Sequence, residues 1–351
     1  MLDASFPLSA FVVRKYLVMK NRIFVFSDGE LKRKENTLFF ENEKGEKKFI
    51  PIERTQELML FGEVSLNKRF LEFASQKEMI LHFFNHYGYY VGSYYPREHL
   101  NSGHMILKQA EIYLNQEKRI DLARKFVEGA ISNIIKVLDY YARRKESPKI
   151  KDIISNIKEL SSTLSSHNST DSLMAIEGNV REMYYSAFDE IIEDDGFKFE
   201  SRTRRPPKNR INALISFGNS LLYTTVLSEI YKTHLDARIG FLHTTNFRRF
   251  SLNLDVAEVF KPIFVDRMIF SLINKGELKK NQFEKRMDGI VMNEPGMKIF
   301  SKEFEDRLNK TIKHRKIGKP VSNRRLIRLE LYKIEKHLLG EGEYKPFLWE
   351  W

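Results

Sequence analysis

Three short stretches of this sequence combine residue types that could do chemistry. In Ile176-Glu177-Gly178-Asn179-Val180 a glutamate lies beside an apolar helical stripe and is followed by glycine. Glycine inside a helix costs about 1 kcal/mol relative to alanine. Close approach of another backbone or of a ligand would account for it; the plainer alternative is an exposed glutamate beside a packing glycine. In Ile239-Gly240-Phe241-Leu242-His243 a histidine follows three residues of buried character, so it is either a functional imidazole or a hydrogen-bonded core histidine. In Asp255-Val256-Ala257-Glu258, a helix over 252–260 puts the two acids at i and i+3 on one face. Carboxylates so placed repel unless a cation or proton relieves them; the alternative is a solvated acidic patch. One loop suffices to return His243 to Asp255 and Glu258.

Together these give one imidazole, two glutamates and a spare aspartate. Oxygen-rich ligation with one imidazole suits Mg2+ or Mn2+ better than structural zinc, and a mixed-ligand catalytic zinc is also compatible. Phosphoryl transfer is the chemistry such a set serves. A basic element lies close by. Residues 198–210 carry Lys198, Arg202, Arg204, Arg205, Lys208 and Arg210 against Glu200, a net +5, and Pro206-Pro207 stiffens the segment against helix formation. It suits contact with a phosphate backbone; a solvated linker is the alternative. Arg248-Arg249 falls between His243 and the acid pair. A second basic belt runs through Lys313, Arg315, Lys316, Lys319, Arg324, Arg325 and Arg328.

The elements that must position these residues divide the chain in two. Short strands are predicted at 22–26, 37–40, 48–52, 57–61 and 79–84, separated by polar turns such as Ser27-Asp28-Gly29-Glu30, which reads as a set of antiparallel units. Pro51 pushes its strand towards an edge. A helix fits 66–77. From residue 100 the spacing is helical nearly to the end, with apolar stripes at 123–137, 176–191 and 327–338. The Ser/Thr-rich stretch 161–172 reads as a loop or weak helix with a cap at Thr170 or Asp171. The expected fold class is α+β, with a small β-rich N-terminal domain at 1–95 and a large all-helical domain at 96–351.

Composition agrees with a two-domain folded chain: 351 residues, 42% hydrophobic and 30% charged. A net charge of +12 favours an acidic partner, without choosing DNA over RNA. The absence of cysteine excludes disulfides, cysteine nucleophiles and thiolate metal sites. The start lacks a signal-peptide pattern and no apolar run is long enough to span a bilayer, so a cytoplasmic protein with no membrane role is expected.

Four segments resemble one known family. They are Leu-Met-Ala-Ile-Glu-Gly (173–178), Arg-Pro-Pro-Lys-Asn-Arg-Ile-Asn-Ala-Leu-Ile-Ser-Phe-Gly (205–218), Ile-Gly-Phe-Leu-His (239–243) and Ser-Leu-Asn-Leu-Asp-Val-Ala-Glu-Val-Phe-Lys-Pro (251–262). In this order they resemble the CRISPR-associated adaptation integrases, the larger and metal-dependent of the two near-universal spacer-acquisition proteins. The resemblance extends to the layout, a β-rich first domain before a helical catalytic one. Asn219 departs from it, standing where the family pattern has an aromatic residue. The resemblance implies a metal-dependent DNA endonuclease and integrase, which inserts captured DNA into a repeat array by 3′-hydroxyl attack on a phosphodiester. It implies Glu177, His243 and Glu258 as ligands to Mg2+ or Mn2+, with Asp255 as an assisting acid. Arg205 to Arg210 and Asn212 match the family's basic, proline-marked segment near the site. The cations of the basic stretches, Arg202, Arg204, Arg205, Lys208, Arg210, Arg248 and Arg249, are the candidates for contact with double-stranded DNA. The resemblance also implies a homodimer, two of which are bridged by a small dimeric partner protein. Phe24, Phe26, Phe39 and Phe40 are candidates for the dimer surface or the core. From the residues alone, a non-catalytic nucleic-acid module and a general repair nuclease remain the alternatives.

Overall fold

The computed structural model describes residues 21–96, 100, 102–243, 250–286, 289–313 and 317–350. Its first part holds eight strands: β1 (Asn21–Val25), β2 (Gly29–Lys34), β3 (Thr37–Asn42), β4 (Lys47–Ile50), β5 (Thr55–Leu60), β6 (Val64–Leu66), β7 (Ile80–Phe84) and β8 (Tyr90–Tyr94). Helix α1 (Lys68–Gln76) lies between β6 and β7 and is capped by the Asn67 side chain. The strands form two four-stranded sheets, ordered β1-β5-β7-β8 and β4-β3-β2-β6. β4, with Pro51 just beyond it, is an edge strand as expected.

Pairing departs from the antiparallel expectation. β1, β5 and β7 run parallel, and so do β2 and β6. The turn at 27–30 does not close a hairpin, because β1 and β2 belong to different sheets. It is instead fastened to the turn after β5: Phe61 N donates to Val25 O at 2.8 Å, and Glu63 N to the Asp28 carboxylate at 2.7 Å. A turn signal marks a change of direction but does not name the strand's partner.

β5 is buried on both faces, and its period-2 alternation serves two cores. Leu58 and Leu60 join a small core with Leu31, Phe70 and Leu81. Met59, with Phe61 and Phe84 nearby, belongs to the large core of the helical part. Phe24 and Phe26 pack on that large core and stack toward Phe61, while Phe39 and Phe40 serve the β-rich part, so these phenylalanines are packing residues.

The second part is helical: α2 (Gly103–Leu114), α3 (Gln116–Lys145), α4 (Pro148–Ser162), α5 (Thr170–Ser186), α6 (Phe188–Ile191), α7 (Arg210–Ile230), α8 (Leu252–Lys261) and α9 (Arg267–Asn274). Between α8 and α9 the chain makes a π-helical turn, Pro262–Asp266. Two short antiparallel ribbons interrupt the remainder, β9 (Phe283–Arg286) with β10 (Gly289–Met292) and β11 (Thr311–Lys313) with β12 (Pro320–Ser322), flanking α10 (Glu294–Asn309) and leading into α11 (Asn323–Leu338). The architecture is thus α+β, a β-rich region followed by a helical one. Much of the Ser/Thr-rich stretch is helical, and Ser169, not Thr170 or Asp171, is the cap: its hydroxyl holds Ser172 N at 3.2 Å and starts α5. α7 is buried nearly all round and lies at the centre, touching α8, α11 and β10. Among the described residues no helix is long and apolar enough to cross a membrane.

Candidate metal centre

His243 is placed by an acid, not by a helix. Asp255 sits on the first turn of α8 with no exposed surface. Its carboxylate accepts the backbone N–H groups of Phe241 (2.5 Å), Leu242 (3.1 Å) and His243 (2.9 Å), and the His243 ring Nδ1 at 2.8 Å. The irregular run 239–243, bent at 241–243, is thereby wrapped around one carboxylate. Ser251 extends the seam: its hydroxyl accepts from Gly240 N (2.8 Å) and donates to Arg238 O (2.7 Å). Gly240 is required by this closeness, since a Cβ there would lie 2.7 Å from the Ser251 carbonyl carbon and 2.8 Å from Asp255 Oδ2. On the far side Arg119 Nε donates to Phe241 O at 2.9 Å and Gln109 to Ile239 O at 3.1 Å. A carboxylate only accepts, so His243 carries its proton on Nδ1 and keeps the Nε2 lone pair for another partner.

Glu258, one turn along α8, is also buried but faces elsewhere. Its Oε2 takes Arg181 Nη2 at 2.5 Å, and its Oε1 takes the Lys261 ammonium. The same Arg181 Nη2 lies 3.1 Å from Glu177 Oε1, so the two glutamates, from α5 and α8, converge on one guanidinium. Arg181 Nη1 reaches 3.9 Å from Asp266 in the π-helical turn. The acids at 255 and 258 are therefore neither a solvated patch nor a mutually repelling pair: each has its own compensating partners. Glu177 and His243 keep side-chain exposures of 23% and 29%, so the cluster opens to solvent at those two residues. Gly178 is exposed, and a Cβ there would meet nothing within 4 Å. Backbone packing is excluded as its reason, and the space beside Glu177 is open.

Charge and burial compete at every group. Burial pushes the Glu258 carboxyl up, but Lys261 and Arg181 outweigh it and bring its pKa down to about 2. Burial pushes His243 down, and the Asp255 hydrogen bond with the charges of Asp255 and Glu258 carries it above its ordinary value. Asp266 goes the other way: burial raises its carboxyl to about 6 despite Arg181, and its Oδ2 has no hydrogen-bond partner.

Among the described residues no three His, Asp or Glu side chains stand together as a ready-made cage for a metal ion. The donors nevertheless fit one. Two carboxylates already converge on a cationic group, and an imidazole whose Nε2 has no hydrogen-bond partner among the described residues lies close enough for its charge to act on Glu258. Hard oxygens with one imidazole match Mg2+ or Mn2+.

A family model described as "CRISPR associated protein Cas1" matches residues 23–306. The chain belongs to the Cas1 family. The CRISPR-associated endonuclease Cas1 2 of Thermodesulfovibrio yellowstonii is 61% identical over 333 residues, covering 95% of this chain and 100% of that protein. A solved Cas1 structure from Thermotoga maritima superposes with a TM-score of 0.84 at 49% identity, over 93% of this chain and 99% of that one. A casposase bound to integration product has the same TM-score, 0.84, at 21% identity, with 95% of each chain covered; that likeness is one of fold.

In this Cas1-family chain the basic segment splits into two kinds of cation. Arg202 turns inward, donating to Asn212 Oδ1 (2.9 Å) and Ser216 Oγ (3.0 Å) on α7. Arg210 donates to Gly196 O at 3.1 Å. These two hold the loop against α7, where Asn209 caps the helix. Arg204, Arg205 and Lys208 are exposed, with Arg205 over the Tyr89 ring at 5.6 Å. Arg248 and Arg249 lie outside the described residues, as do Arg315 and Lys316 of the second belt. Of that belt, Arg324 and Arg328 are spent internally, on Glu305 and Glu229. Sequence reasoning missed Arg181, Lys261 and Asp266. The first two had a signal: Arg181 is i+4 from Glu177 and Lys261 is i+3 from Glu258, the spacings at which helical ion pairs meet.

Proposed function

We propose that this chain is a metal-dependent DNA endonuclease and integrase, inserting short captured DNA into a CRISPR repeat array. The observation that carries the reading is the convergence of Glu177 and Glu258 on Arg181 beside a His243 whose Nε2 is kept available by Asp255. Glu177, His243 and Glu258 would hold Mg2+ or Mn2+, which when bound supplies Lewis-acid stabilisation of the charge on the attacked phosphate. The chain's own groups do the rest. Asp255 fixes the tautomer and orientation of His243. Lys261 keeps Glu258 ionised, and Arg181 keeps both glutamates facing one point. Arg204, Arg205 and Lys208 take up backbone phosphates of double-stranded DNA, and Arg248 and Arg249 join them.

In the joining reaction the 3′-hydroxyl oxygen of the incoming DNA bonds to phosphorus in the repeat. The bond from that phosphorus to the repeat's own 3′ oxygen breaks. The hydroxyl proton is lost to solvent and the leaving oxygen regains one, so one phosphodiester replaces another. With water in place of the hydroxyl the same displacement is endonucleolytic cleavage. In this reading residues 96–351 are the catalytic domain and 1–95 a separate β-rich domain. The working assembly, in the cytoplasm, is two homodimers bridged by a small dimeric CRISPR adaptation protein.

A strand-transfer assay tests this, with a short duplex bearing free 3′-hydroxyls, a supercoiled repeat-array target, the small partner protein, and Mn2+, Mg2+ or chelator. Metal-dependent joined product that disappears in His243→Ala, while folding and DNA binding persist, is the expected result. Joining that survives His243→Ala would overturn the assignment. Cleavage without joining under all conditions would reduce the protein to a nuclease, and binding without reaction to a nucleic-acid module.

A further inference from the structure

A cleft of about 680 Å³ opens between α3, α9, α10 and the first strand of the β11–β12 ribbon, and contains none of Glu177, His243 or Glu258. That size is in the range of sites for small organic ligands, about 300–1,000 Å³. The π-helical turn divides it from the candidate metal centre. Lys261 and Asp266 at the turn's two ends meet Glu258 and Arg181, whereas Ile263, Phe264 and Arg267 face the cleft.

Its lining is cationic and aromatic, with Glu193 the carboxylate among the lining residues. Glu193 is taken by Lys145 at 3.0 Å. Arg307 is paired with Glu303 at 2.7 Å, outside the cleft. Arg144 and Arg267 are organised around Tyr140 instead: Arg144 Nη1 donates to the Tyr140 hydroxyl at 3.2 Å, and Arg267 stands over its ring at 5.2 Å. Burial, with the nearby Arg307 pushing the same way, holds the Arg267 guanidinium below its ordinary pKa, a crowding that an anion would relieve. Lys310 adds a further exposed cation where α10 ends. Trp349 also lines the cleft, its ring edge-on to Phe264 at 6.2 Å and its backbone N–H fixed on Asn133 Oδ1 at 2.8 Å. The cleft also holds Asn323, only 6% exposed, whose Nδ2 donates to Arg307 O while its Oδ1 has no hydrogen-bond partner. A buried acceptor left open costs free energy unless a donor meets it.

Cations, partly exposed rings and an open amide acceptor are what a nucleotide needs for its phosphate, its base plane and a base N–H. We propose that this cleft binds nucleotide units of an unpaired nucleic-acid strand, with phosphate on Arg144, Arg267 and Lys310 and a base against Tyr140 or Trp349. The inference stands on these residues and does not rest on the metal chemistry proposed above.

The sequence has two tryptophans, Trp349 and Trp351, so Trp351→Phe leaves Trp349 as the one indole reporter. Full-length protein carrying that change, in chelator, is titrated with an oligothymidylate of about ten residues, with thymidine monophosphate and with a blunt duplex. A saturable change in Trp349 emission with the oligomer is expected, and its midpoint should rise about tenfold when Arg267→Gln and Lys310→Gln are added. A response to the oligomer alone assigns an unpaired strand. An equal response to the monophosphate assigns free nucleotide as the source of the same chemistry. Absence of any response, a duplex response equal to the oligomer's, or a midpoint unmoved in a double variant that melts with its parent would each overturn the proposal.

Discussion

Two of the clusters of buried charge among the described residues are built to opposite ends. One joins the β-rich region to the helices. Arg22 on β1 donates twice to Glu57 on β5, at 2.8 and 2.5 Å, and to Thr225 on α7 at 3.0 Å. Lys232 bridges Glu57 and Glu229 at 3.3 and 2.9 Å, and Arg328 closes on Glu229 at 2.6 Å. Its two carboxylates have side-chain exposures of 1% and 0%, and each is gripped by more than one cation. His82 completes the seam between Ser93 and Ser228. The other cluster is the candidate metal centre. There the acids share cations as well, but Glu177 and His243 reach solvent and Asp266 keeps an open oxygen. The first cluster is closed and works as a joint. The second is open on one side, and its cations stand where another cation could take over their role. Burial of charge is common to both clusters and does not single out the candidate site; what separates the two is how far each is closed.

The largest expected effect breaks the joint. Glu57→Gln leaves Arg22 buried without its hydrogen-bonded carboxylate and Lys232 with Glu229 alone, which should cost about 3–5 kcal/mol in denaturant unfolding, with divalent metal giving no recovery. The matching change at the centre, Arg181→Met, frees two facing carboxylates and should cost about 2–4 kcal/mol in chelator. There, unlike at the joint, Mn2+ should restore most of the melting temperature. A melting curve indifferent to Mn2+ would erase the distinction between the clusters. Next in size, Asp255→Asn removes an acceptor that holds His243, and metal affinity measured by calorimetry should fall about 10–100-fold.

The smallest effect is a difference in pH dependence. In the joint, burial raises Glu57 but its cations bring it well below the ordinary carboxylate value, so its stabilisation is present above about pH 4.5 and is lost as pH falls towards its folded pKa. Burial takes His82 down to about 3, so the fold also loses stability as pH drops from about 6.5 towards that value. Asp266 has the opposite sign: with a folded pKa of about 6, its favourable contribution is complete below about pH 4 and is lost as pH rises through 6. Asp266→Asn should thus raise stability by about 1–3 kcal/mol at pH 8 and by nearly nothing at pH 4, read from melts across that range.

How much of this was legible in the sequence follows from how local each feature is. Strands near 22–26, 57–61 and 79–84 and the helices at 66–77 and 252–260 declare themselves through period and turn chemistry, and the structure has them. Parallel pairing of β1, β5 and β7 was not legible, because register between distant strands is set by the cores they share. His243 and Glu258 stood out by type, while Arg181 and Lys261 were passed over though their spacing was visible. The basic stretches were over-counted for a related reason. Composition counts Arg202, Arg210, Arg324 and Arg328 as available charge, and only the fold reveals that each turns inward to an acceptor.

The two-faced strand β5 carries a consequence for how the chain assembles. A slip of one residue in its pairing would place Glu57 among Leu31, Phe70 and Leu81 and aim Leu58 at Arg22 and Lys232. Both errors are expensive at once, so the strand acts as a key that admits a single alignment of sheet on helices. It also means that the β-rich region made alone would present Met59, Phe61 and the Glu57 carboxylate to water, an adhesive face awaiting α7. Such a fragment should self-associate when expressed by itself, and become well behaved only when the helical part is supplied alongside it.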